Sequence, residues 1–95
     1  MDLEFDDAVF EWRGPAPYHF VWVPADDAAV IQDVAAAITY GWGMIPVAVT
    51  IGATEWTTSL WPKEGRYVLP LKDKVRQAER IGLGDQVTAR IRIDV

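Results

Sequence analysis

Residues 45–61 read IPVAVTIGATEWTTSLW, and their alternation of apolar and polar side chains decides the fold. Gly52 and Ala53 form a two-residue turn in which glycine supplies the positive φ that a type II′ turn needs. The turn sets a register in which the apolar residues of both strands share one face, and a slip of one residue would mix the faces. The predicted opposing pairs are Ile51 with Thr54, Thr50 with Glu55, Val49 with Trp56, Ala48 with Thr57, Val47 with Thr58 and Ile45 with Leu60.

Further strands and two helices are predicted on both sides of this hairpin. Strands are predicted over residues 3–12, 18–23, 66–69 and 86–95, and helices between residues 24 and 43 and over residues 72–80. The buried stripes predicted for the helices are Val30, Ile31, Val34 and Ile38 in the first and Val75, Ala78 and Ile81 in the second. Because the strands do not alternate regularly with helices, the pattern predicts a mainly β fold. We expect a closed or split antiparallel barrel of about six strands, forming a single domain over residues 1–95.

Composition and charge exclude several classes of function. The 95 residues carry a net charge of −5 and no cysteine, which excludes a disulfide framework, a thiolate nucleophile and an iron–sulfur cluster. The charge is uneven, because residues 1–62 hold nine acids and one base (−8) whereas residues 63–95 hold eight bases and five acids (+3). Only the C-terminal third could therefore offer a basic patch to phosphate. An acidic start, no long apolar run and no cysteine predict a cytoplasmic protein without a membrane partner.

Three motifs resemble those of a known family. They are GWGMIPVAVTIGATEWTTSLWP over residues 41–62, GRYVLPLK over residues 65–72 and VRQAERIGLGDQV over residues 75–87. With Phe5, Val9 and Trp12 near the start, they are similar to the bacterial DUF1905 family of domains of unknown function. The resemblance implies a double-split β-barrel, the architecture also found in AbrB-type regulators and MazE-type antitoxins, and some members are fused to a domain linked to bacteriocin protection. It implies no reaction, cofactor or catalytic residue.

Catalytic side chains are scarce in the sequence. His19 is the single histidine and Ser59 the single serine, so a triad of these two with an aspartate is the one arrangement that the composition permits. No G-x-S-x-G motif surrounds Ser59, and a strand histidine more often makes a local hydrogen bond than acts as a base. No residue spacing typical of a metal site is present. The sequence therefore leans toward a protein without catalytic activity, metal or cofactor.

Two binding functions stay open. The first is a module that holds a small molecule or a protein, with candidate ligand-binding residues Trp42, Thr57, Ser59, Trp61, Arg66 and Tyr67. The second is nucleic-acid binding by the helix over residues 72–80, with candidate contacts Lys72, Lys74, Arg76 and Arg80. An ordinary solvated face has the same spacing, and the acidic net charge disfavours nucleic acid. A monomer and a homodimer are both compatible with either function.

Five tryptophans make the chain unusual: Trp12, Trp22, Trp42, Trp56 and Trp61. The hairpin register places Trp56 on the core face, whereas Trp42 and Trp61 lie next to turns. A small barrel without disulfides needs large side chains to fill its interior. We therefore expect most of the tryptophans to lie in the core.

Overall fold

The computed structural model describes residues 1–12, 18–38 and 43–94, without the side chains of residues 36–38, and its main feature is a closed antiparallel barrel. The strands are β1 (Asp2–Trp12), β2 (Tyr18–Trp22), β3 (Ile45–Ile51), β4 (Thr54–Lys63), β5 (Arg66–Leu71) and β6 (Gln86–Arg92), and the helices are α1 (Ala25–Ile38) and α2 (Asp73–Glu79). The strand order is β1-β2-β5-β4-β3-β6, and β6 pairs with β1 to close the barrel. The predicted mainly β fold is confirmed. The predicted break at residues 13–17 lies outside the described residues, as do residues 40–42 of the helix stop predicted at residues 40–43.

The hairpin of β3 and β4 has the predicted register. Val49 faces Trp56, and all six other pairs of the ladder follow the same alignment. Gly52 has a φ of 59°, as the turn requires. The odd-numbered residues of β3 are all buried, so one face of the hairpin points into the barrel.

A single hydrophobic core fills the barrel, and every strand contributes to it. Its most deeply buried side chains include Val21, Ile45, Val49, Leu60, Leu69, Ala89 and Ile91. β6 alternates between buried and exposed residues along its whole length, as its sequence pattern predicts. Trp56 is partly buried and packs against this core, in agreement with the hairpin prediction.

Helix α1 packs on the barrel through a stripe that differs from the predicted one. Ala28 and Ile31 are buried and Ala35 packs against the core, whereas Val30 is 43% exposed. Residues 28, 31 and 35 share a helix face, and the two alanines on it let the helix approach the barrel closely. The prediction was therefore right for Ile31 and wrong for Val30, while the side chain of Ile38 lies outside the described residues.

Helix α2 is shorter than predicted. Lys72 is its N-cap, and Arg80 ends it with a left-handed φ of 54°. Val75 is buried as predicted and Ile81 packs against the core, but Ala78 is exposed. The prediction was wrong for Ala78 because a helix of fewer than two turns presents only a short face to the barrel.

On the outer surface of β1 and β6, acidic side chains of one strand face arginines of the other. Arg92 faces Asp2 and Arg90 faces Glu4 across the two strands. The Arg92 Nε donates to Asp2 Oδ1 at 3.2 Å. Cross-strand acids thus balance the arginines of β6, and this side of the barrel gains little net charge.

Replacing Gly52 with alanine is expected to lower the free energy of unfolding by about 1–2 kcal/mol, because an L-residue is strained at this positive φ. A Cβ at this position would also meet the carboxylate of Glu79, which accepts a hydrogen bond from Thr54 Oγ1 at 2.5 Å. Urea denaturation measures the loss. Repeating the substitution in a Glu79→Ala background separates the two causes, since backbone strain persists there and the contact does not. An unchanged midpoint for Gly52→Ala would contradict the turn assignment.

Candidate binding site

The outer surface of β1 and β2 carries an aromatic cluster that extends across β5 to β4. Strand pairing sets Phe10 beside Phe20 and Trp12 beside Tyr18. Trp22 of β2 and Trp61 of β4 both pair with Val68 of β5, which lies between them. These six rings, Phe10, Trp12, Tyr18, Phe20, Trp22 and Trp61, form what we name the aromatic face.

Phe20 is the centre of the aromatic face. Its side chain is completely buried, yet it lies outside the cluster that fills the barrel. Its ring centroid is 5.1 Å from that of Trp61 and 5.9 Å from that of Phe10. Trp12 and Tyr18, at its edge, are each 45% exposed. The barrel therefore has a second packed apolar cluster, on its outside, with two partly solvated rings at the rim.

The position of the tryptophans corrects the expectation that most of them fill the core. Trp12, Trp22 and Trp61 occupy outward positions of their strands, because each pairs with a residue on the outer side of the sheet. Of the tryptophans that the structure describes, Trp56 alone packs against the core. The predicted binding residue Trp42 lies outside the described residues.

Two basic side chains already lie over rings of the aromatic face. Lys63 Nζ lies 4.7 Å from the centroid of the Trp12 ring, and the Arg66 guanidinium lies 4.8 Å from that of Trp22. The Arg66 Nη2 also donates to the Val23 carbonyl oxygen at 2.8 Å. Arg66, a predicted ligand-binding residue, thus fixes the chain where β2 ends.

The other predicted ligand-binding residues divide between the two sides of the barrel wall. Thr57, Ser59 and Trp61 share the outer side of β4, because strand residues two apart point the same way. Tyr67 points to the interior, where it is 5% exposed, and burial raises the pKa of its phenol above the ordinary value. The structure therefore brings Ser59 and Trp61 to one surface and places Tyr67 on the other.

The structure does not assemble the triad that the composition permitted. His19 pairs with Leu71, a core residue, and so belongs to the inner side of its sheet. Ser59 lies on the outer side of β4 together with Trp61. Within the described part of the chain, no three His, Cys, Asp or Glu side chains are grouped to hold a metal ion.

The predicted nucleic-acid residues at α2 differ in how they are used. Arg76 is paired with Asp73, its side chain is only 23% exposed, and its Nε is buried without a partner among the described residues. Arg80 leaves the helical path at the C-cap. Lys72 and Lys74 are exposed, and neither forms an ion pair with any residue that the structure describes. Of the predicted stripe, Lys72 and Lys74 are therefore the residues at the start of α2 that form no ion pair with a described residue.

A surface cavity of about 530 Å³ lies where the ladder between β4 and β5 ends. The ladder stops at the pair of Trp61 and Val68, and Pro70 further along β5 has no N–H with which to extend it. We name this space the Trp61 cavity, and its lining includes Tyr18, His19, Trp61, Pro70, Lys72, Asp73 and Lys74. It joins Trp61, predicted to bind a ligand, to two lysines predicted to bind nucleic acid.

The sequence analysis missed Tyr18 and Pro70 as site residues. The signal was present in the aromatic residues at positions 10, 12, 18, 20 and 22, which all fall on one side of two paired strands. A second cavity, of about 570 Å³, lies on the charged outer surface of β1 and β6. Acids and arginines line it together with Leu3, Ala48 and Ile91, so its charges face one another within the lining and it has no aromatic wall like that of the Trp61 cavity.

These features define a small closed antiparallel β-barrel with an aromatic outer face and a cavity that is apolar on one side and basic on the other. The chain belongs to the family described as Domain of unknown function (DUF1905), whose model matches residues 5–91. The family predicted from the motifs is thereby confirmed over nearly the whole chain. No curated protein matches the sequence. Among the described residues, no helix has both the length and the apolar character needed to cross a membrane.

Proposed function

We propose that this protein is a binding module without catalytic activity and that its ligand occupies the Trp61 cavity. The observation that carries the proposal is that exposed and half-buried aromatic rings line one cavity together with two lysines that form no ion pair with a described residue. Cavities of roughly 300–1,000 Å³ that combine apolar walls with a few polar groups are typical small-molecule sites. The cavity volume of about 530 Å³ falls in this range.

The aromatic wall of the cavity is held in place before any ligand binds. Trp61 meets Tyr18 edge to face at a centroid distance of 5.5 Å and meets Phe20 at 5.1 Å, with interplanar angles of 70° and 63°. Rings fixed from two sides lose little conformational freedom on binding. This preorganisation favours a role in recognition. The absence of cysteine suits such a module to a reducing, cytoplasmic environment.

A mapping experiment by NMR tests the proposed site. A mixture of small aromatic and polar fragments is added to ¹⁵N-labelled protein, and the shifts of the backbone amides and indole N–H groups are followed. We expect the Trp61 indole and the amides of Tyr18 and Lys74 to shift together, while the Trp22 indole, at a distance along the aromatic face, serves as the internal control. Shifts confined to another surface, or none at millimolar fragment, would refute the site.

Nucleic-acid binding is the second candidate, favoured by the position of Lys72 and Lys74 beside the exposed Tyr18 ring. Single-stranded nucleic acid is bound by basic side chains that contact phosphates and aromatic rings that stack on bases. The net charge of −5 opposes it. Fluorescence anisotropy with a labelled single-stranded oligonucleotide at low salt decides the question, because binding through phosphate must weaken steeply as salt is added. No anisotropy change at low salt would eliminate this candidate.

A further inference from the structure

We propose that the ligand of the Trp61 cavity is an aromatic anion: a small molecule with a flat apolar ring at one end and a carboxylate or phosphate at the other. This inference rests on the proposed function and adds the chemical class of the ligand. It is drawn from the division of the cavity into an apolar side and a cationic side.

The apolar side of the cavity is built to receive a ring. Tyr18 leaves 45% of its surface exposed, and Trp61 is fixed against it at a centroid distance of 5.5 Å. Pro70 pairs with Phe20 in the sheet, so the floor next to these rings is apolar as well. Aromatic rings associate best in offset or edge-to-face geometry, and a planar group entering here meets ring surfaces already set at a steep angle to one another.

The cationic side carries two lysine charges that form no ion pair with a residue described in the structure. Asp73 lies between the two lysines in the lining of the cavity, and its carboxylate is paired with Arg76. His19, also in the lining, adds a ring N–H that can donate a hydrogen bond. Two ammonium groups next to an apolar wall are complementary to an anion attached to an apolar body.

The remaining cations near the aromatic face do not compete for this role. Lys63 lies over the Trp12 ring and Arg66 over the Trp22 ring, and Arg66 is further held by the Val23 carbonyl. Neither lines the Trp61 cavity. Lys63 is therefore the natural matched control for the two lysines that do.

Isothermal titration at low salt tests the inference with defined probes. The anionic aromatics are 1-naphthoate and adenosine monophosphate, and the controls are the neutral 1-naphthalenemethanol and adenosine, together with acetate and inorganic phosphate. We expect each anionic aromatic to bind about tenfold more tightly than its neutral partner, as two exposed charge-assisted contacts allow. The non-aromatic anions should bind too weakly to measure. The ratio of affinities between each anion and its own neutral partner cancels the contribution of the ring, so the pair with the larger ratio tells whether the site prefers a carboxylate or a phosphate.

Variants locate the two halves of the interaction. Lys72→Gln combined with Lys74→Gln should lower the affinity for the anionic aromatic about tenfold and leave that for its neutral partner unchanged. Trp61→Ala should weaken both, and Lys63→Gln should weaken neither. Unfolding curves establish that each variant is folded, and Trp61→Leu replaces Trp61→Ala if the latter is not.

The outcomes separate this inference from the proposed function. Equal affinity for anionic and neutral aromatics, or no effect of the double lysine substitution, would overturn the anionic class while fragments still shift the Trp61 indole. If a single-stranded oligonucleotide binds far more tightly than the monophosphate, the ligand is nucleic acid and the inference is overturned in favour of the second candidate. If no fragment shifts the Trp61 indole, the proposed site itself fails.

Discussion

Replacing Phe20 with alanine is expected to lower the free energy of unfolding by about 3–4 kcal/mol, although its ring lies outside the barrel core. The ring is completely buried and packs against Phe10, Trp12, Tyr18 and Trp61. Its removal leaves a cavity that these partners cannot all fill, because each is held by its own strand. Urea denaturation followed by far-ultraviolet circular dichroism gives the change in free energy.

The matched control for Phe20→Ala is Tyr18→Ala. Tyr18 belongs to the same strand and face but is 45% exposed, so its truncation should cost about 1 kcal/mol. Phe20→Leu, which keeps most of the apolar volume, should cost about 1 kcal/mol as well. A loss below about 1 kcal/mol for Phe20→Ala would show that the aromatic face is a surface feature and not a second packed cluster.

The same residue links the stability of the barrel to the proposed site. Phe20 does not line the Trp61 cavity, but its ring meets Trp61 edge to face at 5.1 Å and so helps to orient it. A folded Phe20→Leu protein should therefore bind the aromatic anion more weakly than wild type. The aromatic face would then act as a support that positions the cavity wall.

The hairpin of β3 and β4 shows which parts of the fold the sequence could predict. Along β3 the odd positions hold only isoleucine and valine whereas the even positions hold proline, alanine and threonine, and Gly52 marks a turn of fixed length. A period of two together with a turn type determines the register completely, so the predicted pairs match those observed. β6 was predicted for the same reason, since each apolar residue is followed by a polar one.

The aromatic face was not predicted because β2 and β5 lack that contrast. Four of the five residues of β2 are apolar or aromatic on both sides of the strand, and β5 is buried from Tyr67 to Leu71. Where both sides are apolar, alternation cannot tell the inner side from the outer. For this reason the sequence does not reveal that Arg66 and Tyr67, both candidate ligand-binding residues, point to opposite sides of the wall.

The Trp61 cavity could be predicted only in part. Trp61, Lys72 and Lys74 were each singled out from sequence, but for two different functions. These side chains line one cavity because the β4–β5 ladder ends at Trp61 and the start of α2 lies beside that point. Such proximity is a property of the closed barrel and not of any local pattern, and it joins the two functional hypotheses at one site.

Replacing Ile31 with alanine is expected to lower the free energy of unfolding by about 3 kcal/mol, because this side chain is completely buried between α1 and the barrel. Ala28 and Ala35, its neighbours on the buried helix face, are too small to fill the space that it would leave. The truncation also weakens the attachment of α1, whose Gln32 Nε2 donates to the Gly65 carbonyl oxygen at 2.9 Å. Amide hydrogen exchange in α1 should therefore accelerate more than exchange in β3.

Val30→Ala is the decisive control, because Val30 is the adjacent apolar residue and was assigned by sequence to the same buried stripe. It is 43% exposed, so its truncation should change the free energy of unfolding by less than about 0.5 kcal/mol, with the better helix propensity of alanine offsetting the small loss of burial. A large loss for Val30→Ala with a small one for Ile31→Ala would mean that α1 is rotated by about one residue relative to the barrel. Equal losses would mean that a wider face of the helix is buried. A loss at Ile31 alone follows from the observed packing, in which two alanines let the helix approach and one isoleucine anchors it.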